Sequence, residues 1–129
     1  MNNNIKICVV TILIGDLSYK ERAKINHQKY CDKHGYTYVC LEEPINDFHP
    51  MWMKPDFILS EFNNNHDYVF WMDGDSFFIN MDISLKKFTD LNKDLVATGD
   101  ENDVINTGHL FFKNSGWSLL FIKKSQSSM

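Results

Sequence analysis

The feature that most constrains the fold is a run of apolar and aromatic residues that ends in two acids. Residues 68–71, Tyr-Val-Phe-Trp, are continuously bulky, which predicts a short buried strand in a parallel sheet covered on both faces. Asp73 and Asp75 follow this strand closely, with Gly74 between them. Because ligands of open α/β sheets bind at the carboxyl ends of the strands, we expect both acids at the binding edge.

Two carboxylates one residue apart are candidate metal ligands. Hard oxygen ligands suit Mg²⁺ or Mn²⁺, and Gly74 allows a sharp turn or the close approach of a ligand. Asp and Gly also form ordinary turns after strands, so the short motif is a hypothesis that needs structural context. We predict that Asp73 and Asp75 bind a divalent cation, with an ordinary turn as the alternative.

Composition restricts the class of protein. A chain of 129 residues with 43% hydrophobic content predicts one folded domain over residues 1–129, and three cysteines argue against a full disulfide framework. A net charge of −4 and the lack of a basic run argue against general nucleic-acid binding. The longest apolar run near the start, residues 7–14, is about half of a membrane span. With no basic leader before it, the default expectation is a cytoplasmic protein without a transmembrane segment.

The rest of the pattern alternates strands with helices. Strands are predicted at residues 6–13, 36–41, 95–98 and 109–112, and helices at residues 18–33, 52 or 55 to 62, 84–89 and 117–123. Ser18 and Glu21 match a capping box, Gly35 ends the first helix, and Pro55 is expected in the first turn of the second. His34 is expected to be structural, because it lies near a helix end. The first strand, helix and second strand predict a right-handed parallel unit.

Two motifs occur in a fixed order along the chain. The first is residues 71–75, Trp-Met-Asp-Gly-Asp, and the second is residues 106–108, Asn-Thr-Gly, followed by residues 110–114 and by Trp117-Ser118. Together they resemble glycosyltransferase family 34, the galactosyl/xylosyl/mannosyltransferase group. Further matches occur in the same order at Asn26-His27, Tyr30-Cys31, His34-Gly35-Tyr36 and residues 52–55. Ordered matches over nearly the whole chain are much more specific than the acid pair alone.

The resemblance implies a GT-A fold, a Rossmann-like α/β domain with a mostly parallel central sheet flanked by helices. It also implies a donor, a UDP-sugar or GDP-mannose, bound through Mn²⁺ or Mg²⁺, and transfer with retention to a glycan or other acceptor. Asp75 would be the main metal ligand, and Asp73 would contact the metal or the donor's ribose and sugar. Thr11 would line the nucleotide pocket, while Asn106 and Gly108 would lie beside the transferred sugar. No catalytic residue is assigned.

Domains of this family continue beyond the position where this sequence stops. Their further part normally supplies another metal-ligand His, an Asp-Gln pair near the sugar and acceptor contacts. The expectation is therefore a C-terminally shortened domain, in which donor binding can survive where turnover does not. Related enzymes are usually anchored in the Golgi, whereas this sequence predicts no anchor.

Two other interpretations stay open at this point. One is a haloacid dehalogenase-like phosphohydrolase with Asp73 as its nucleophile. Its motif normally follows the first strand, however, and Phe77 occupies a position that usually holds Thr or Val. The other is an incomplete, non-catalytic domain that binds a nucleotide or nothing.

Overall fold

Strands and helices alternate along most of the chain. The computed structural model describes residues 5–44, 50–99 and 105–127. The elements are, in order, β1 (Ile7–Ile12), α1 (Lys20–His34), β2 (Thr37–Leu41), α2 (Pro50–Phe62), β3 (Tyr68–Met72), a 3₁₀ helix (Leu85–Leu91), β4 (Leu95–Gly99), β5 (Ile105–Lys113) and α3 (Gly116–Ser127). None of the helices in these ranges has the length and apolar character needed to cross a lipid bilayer.

The five strands form one sheet in the order β2-β1-β3-β5-β4. Strands β2, β1 and β3 are parallel neighbours, and β5 runs antiparallel to both β3 and β4. Four strands therefore share one direction and β5 alone is reversed. The expected α/β class, with a mostly parallel sheet flanked by helices, is confirmed. The carboxyl ends of β1 and β3 meet at one edge, as the sequence predicted for parallel neighbours.

Successive side chains of β1 point to opposite faces of the sheet and belong to two separate apolar cores. Ile7 and Val9 face α1 and pack with Tyr30, whereas Cys8 and Val10 face the side of α2 and α3. Side chains of successive strand residues point to opposite faces, so a strand buried on both faces is apolar throughout. Burial of a side chain such as Val9, which is fully inaccessible, stabilises the fold by about 1.5–3 kcal/mol.

The helix starts differ from the predictions. Helix α1 begins at Lys20 after Tyr19, which makes no side-chain capping bond, so the predicted capping box of Ser18 and Glu21 is wrong. A backbone turn supplies the first bonds instead, with Lys20 N donating to Leu17 O at 3.1 Å. Gly35 ends α1 as predicted, with a φ of 74°.

Helix α2 begins at Pro50, so Pro55 lies inside the helix and the prediction that placed it in the first turn is wrong. A proline within a helix removes one backbone donor and clashes with the preceding turn. The ring of Pro55 is buried, and this apolar contact helps to offset the lost hydrogen bond.

Strand β5 starts earlier than predicted and contains residues 106–108, which were expected to precede it. The extension comes from pairing with β4, in which Thr98 lies opposite Asn106 beyond an irregularity between Ala97 and Thr98. Such an irregularity changes the register of the two strands locally. Most of the acidic segment at residues 99–103 lies outside the described residues.

Candidate active site

The two acids lie on a turn at the carboxyl end of β3. The backbone N–H of Asp73 donates to the Gly108 carbonyl oxygen at 2.9 Å, and the Ser76 N–H donates to the Asp73 carbonyl oxygen at 3.0 Å. Asp73 is half-buried and Asp75 is exposed. These bonds fix the start of the turn against β5 and direct the chain from β3 to the edge where ligands bind in α/β sheets.

Gly74 brings the same turn into contact with the end of β1. A Cβ atom at this position would overlap the Leu13 side chain and lie 2.8 Å from the Ile12 carbonyl oxygen. Only a residue without a side chain allows the two backbones to approach so closely. The glycine between the acids is therefore required by packing, and it places them beside the end of β1.

Replacement of Gly74 by alanine should destabilise the protein by about 1–3 kcal/mol, because the new methyl group overpacks against β1. Gly116→Ala is the matched control, since a Cβ there meets no atom within 4 Å. Urea unfolding of both variants measures the difference. Equal midpoints for Gly74→Ala and the unmodified chain would show that the turn is not packed as described.

A lysine and a tryptophan flank Asp73. Trp71 Nε1 donates to Asp73 Oδ1 at 3.0 Å, and Lys54 Nζ lies 4.6 Å from the centre of the Trp71 ring. Burial lowers the pKa of Lys54, and the negative charge of Asp73 partly opposes that effect. Trp71 thus orients the Asp73 carboxylate, and α2 places a cation beside it. Lys54 was visible in the sequence within residues 52–55, but no role had been assigned to it.

Helix α1 holds the chain that follows the acids. Asn26 pairs with the backbone of Phe78 through two hydrogen bonds, of 2.7 Å to its N–H and 3.0 Å to its carbonyl oxygen. His27 is fully buried, and its Nε2 lies 2.6 Å from the Ser76 carbonyl oxygen while Nδ1 lies 2.9 Å from the Tyr38 hydroxyl. Because a carbonyl only accepts, Nε2 carries the proton, and the neutral ring accepts from Tyr38 at Nδ1.

Burial lowers the pKa of His27, although the bond to the Ser76 carbonyl oxygen opposes this. The neutral ring is therefore the resting form at neutral pH, in agreement with the two hydrogen bonds. Ser76 is the residue after Asp75, so His27 fixes the backbone directly beside the exposed acid. Sequence reasoning noted Asn26-His27 only as part of a resemblance and gave no role to either residue.

The same helix and the residues after it continue the anchoring. His34 Nε2 donates to the Met81 carbonyl oxygen at 2.7 Å, and the Tyr36 hydroxyl lies 2.7 Å from Ser84 Oγ. Tyr30 donates to the Ile83 carbonyl oxygen and stacks on Phe78, with ring centres 3.7 Å apart. His34 thus has a structural contact, as expected. The segment after the acids is therefore held by α1 residues that belong to the motifs of the family resemblance: Asn26, His27, Tyr30 and His34.

The other predicted site residues are placed as follows. Gly108 is buried and contacts Asp73 through its backbone. Asn106 lies two residues before Gly108 on β5, opposite Thr98. Thr11 is fully buried opposite Cys40, and its Oγ1 has no hydrogen-bond partner among the described residues. The structure therefore brings the turn with the acids, Gly108 and the end of β1 together, whereas the Thr11 side chain is fully buried.

Comparison with known proteins identifies a family and a fold for this chain. The sequence model of the galactosyl transferase GMA12/MNN10 family matches residues 2–95 of this chain. The matched residues include both acids and end before β5. A glycosyltransferase involved in the glycosylation of the major capsid of PBCV-1 has a similar structure, with a TM-score of 0.77 and 20% identity. The similarity covers 95% of this chain and 65% of that chain.

A second solved structure, A197 from STIV, matches with a TM-score of 0.57 and 16% identity over 92% of this chain and 68% of that chain. No curated protein sequence matches significantly. The expected glycosyltransferase fold is confirmed, in a chain that spans 65% and 68% of the two similar structures. Because the family model covers most of the sequence, the chain belongs to the galactosyl transferase GMA12/MNN10 family.

Proposed function

We propose that this protein binds a nucleotide-diphosphate sugar through a divalent cation held by Asp73 and Asp75, and that it acts in transfer of the sugar to a glycan or other acceptor. The observation that carries the proposal is the placement of the acid turn. Asp73 is bonded to Gly108 of β5, and Gly74 packs against the end of β1. Membership of a galactosyl transferase family supports the same reaction class.

The residues of the turn fit a hard divalent cation. Two carboxylates are present, one half-buried and oriented by Trp71 and one exposed. Oxygen ligands of this kind suit Mn²⁺ or Mg²⁺, which also bind substrate phosphates. A bound cation would supply charge compensation for the diphosphate and Lewis-acid stabilisation of the leaving group. Carboxylates without such compensation would repel a diphosphate, so Asp73 and Asp75 bind the donor productively only together with a cation.

The remaining residues of the site position and select the donor. Lys54, held over Trp71 and near Asp73, adds positive charge at the side of the turn where the diphosphate would bind. Gly108 presents no side chain beside Asp73, which leaves space for a sugar, and Asn106 lies two residues before Gly108 on the same strand. We assign Thr11 to the floor beneath the nucleotide, because its side chain is buried at the end of β1. The donor classes are UDP-sugars and GDP-mannose, and transfer proceeds with retention.

The other interpretations differ in what they predict. Family membership favours glycosyl transfer over phosphate-ester hydrolysis, so the phosphohydrolase alternative is not retained. A non-catalytic donor-binding domain shares the binding step with the proposed enzyme and lacks only turnover. Binding and transfer must therefore be measured separately.

Calorimetric titration with UDP and GDP, in Mn²⁺ and then in EDTA, tests the binding step. We expect one of the nucleotides to bind in Mn²⁺, and at least about tenfold weaker binding in EDTA, because the acids repel the diphosphate. Binding that is unchanged by EDTA would contradict the proposal. Release of the nucleotide from the matching nucleotide-sugar, in the presence of candidate glycans, then distinguishes an enzyme from a donor-binding domain.

A further inference from the structure

A second cluster of metal-ligand residues lies at the opposite edge of the sheet from the acids. Cys8 is near the start of β1, Glu61 is near the end of α2, and His66 precedes β3. One ligand atom from each residue lies within 4.8 Å of the other two. We propose that Cys8, Glu61 and His66 bind a zinc ion that joins β1, α2 and the entry to β3.

The distances are close to those of a zinc site. Cys8 Sγ lies 3.9 Å from Glu61 Oε1, and His66 Nε2 lies 3.6 Å from the same oxygen. Zinc–ligand bonds of about 2.0–2.3 Å in a tetrahedron put ligand atoms about 3.3–3.6 Å apart. The two distances to Glu61 Oε1 are therefore within a few tenths of an ångström of tetrahedral spacing. The third pair, Cys8 and His66, lies within 4.8 Å, and these two ligand atoms must approach each other by up to about 1.2 Å when zinc binds.

Burial favours a bound cation. Cys8 is fully buried, Glu61 is 7% exposed, and the His66 side chain is 11% exposed. A carboxylate removed from water is costly unless positive charge and hydrogen bonds compensate it. Asn64 Nδ2 donates to Glu61 Oε1 at 3.2 Å, and the Cys8 thiol donates to the same oxygen at 3.9 Å; neither donor carries a charge. A divalent cation would supply the charge.

The histidine presents one ring nitrogen to the cluster. His66 Nε2 is the atom that lies 3.6 Å from Glu61 Oε1. The other nitrogen, Nδ1, is buried and has no hydrogen-bond partner within residues 5–44, 50–99 and 105–127. The imidazole is thus held inside the protein next to a thiol and a carboxylate, with Nε2 as the candidate ligand atom.

The ligand types favour zinc over the metals expected at the acid turn. Thiolate and imidazole ligands suit Zn²⁺, usually with four ligands, so water would complete the set. Burial, and then the charge of Glu61, raise the pKa of Cys8, so the thiol keeps its proton without metal. A coordinated thiol loses its proton, which passes to solvent on binding. The two sites therefore differ in metal preference as well as position.

Cobalt substitution tests the proposal, because Co²⁺ bound to a thiolate gives a ligand-to-metal charge-transfer absorption that oxygen ligands do not give. The full chain is stripped with EDTA and titrated with Co²⁺ and then with Zn²⁺. We expect a thiolate–cobalt absorption that saturates at one ion per chain and is displaced by zinc, and a higher unfolding temperature with zinc.

Cys8→Ser should lose the absorption and weaken zinc binding by about 100-fold. Cys31→Ser, which removes another fully buried thiol, should keep both. His66→Asn provides a second variant if Cys8→Ser does not fold, and it too should weaken binding. Asp75→Asn should leave the absorption unchanged, which separates this site from the acid turn. No thiolate absorption with the unmodified chain, or one that persists in Cys8→Ser, would overturn the proposal.

Discussion

Asp75→Asn should weaken nucleotide binding in Mn²⁺ by about 100-fold, which corresponds to about 2.7 kcal/mol. Asparagine keeps the size of the side chain and removes its charge, so the change acts on attraction of the cation rather than on packing. Asp75 is exposed, and we therefore expect the free energy of unfolding to stay within about 0.5 kcal/mol. Calorimetry and urea unfolding of the same preparation measure the two quantities.

Asp82→Asn is the matched control for this variant. Asp82 lies on the segment that follows the acids, its side chain is 81% exposed, and it pairs with Lys33 at 2.7 Å. The same change of charge is thus made at a residue outside the proposed site. Equal loss of binding in both variants would mean that overall charge, rather than the acid turn, governs affinity. Undiminished binding in Asp75→Asn would remove Asp75 from the metal ligands.

The binding edge could be foreseen because its signals are local. A continuous apolar run predicted β3, and the acids after it had to lie at the carboxyl edge once β1 and β3 were parallel. Gly74 was expected to allow a sharp turn, and the packing against Ile12 and Leu13 explains why no larger residue fits. Periodicity and strand direction were sufficient for this part of the site.

Other features depend on contacts between distant residues. His27 and Ser76 are 49 residues apart, and their hydrogen bond exists only because α1 packs beside the segment after the acids. The placement of Lys54 over Trp71 likewise needs the packing of α2 on the sheet. The early start of β5 follows from pairing with β4. Local patterns do not contain this information, and Asn26 and His27 entered the sequence analysis only as part of a family resemblance.

His27→Leu should destabilise the protein by about 2–4 kcal/mol. Leucine fills a similar volume but leaves the Ser76 carbonyl oxygen and the Tyr38 hydroxyl without their partner, at about 1–3 kcal/mol for each buried group. His27→Gln can still donate one hydrogen bond and should recover part of the loss. Because Ser76 follows Asp75, we also expect weaker nucleotide binding in Mn²⁺ for the leucine variant under conditions where it is folded.

The cost of His27→Leu should also depend on pH, with a definite sign. Burial lowers the pKa of His27 in the folded protein, so the unfolded chain takes up a proton first as the pH falls below the ordinary value of about 6.5. The unfolded state then binds more protons, and the stabilisation by His27 is complete above that pH and decreases below it. Urea unfolding should therefore give a larger difference between the unmodified protein and the leucine variant at about pH 7.5 than at about pH 5. A difference that is equal at both pH values would show that the ring is not held in its neutral form, in which Nδ1 accepts a hydrogen bond from the Tyr38 hydroxyl.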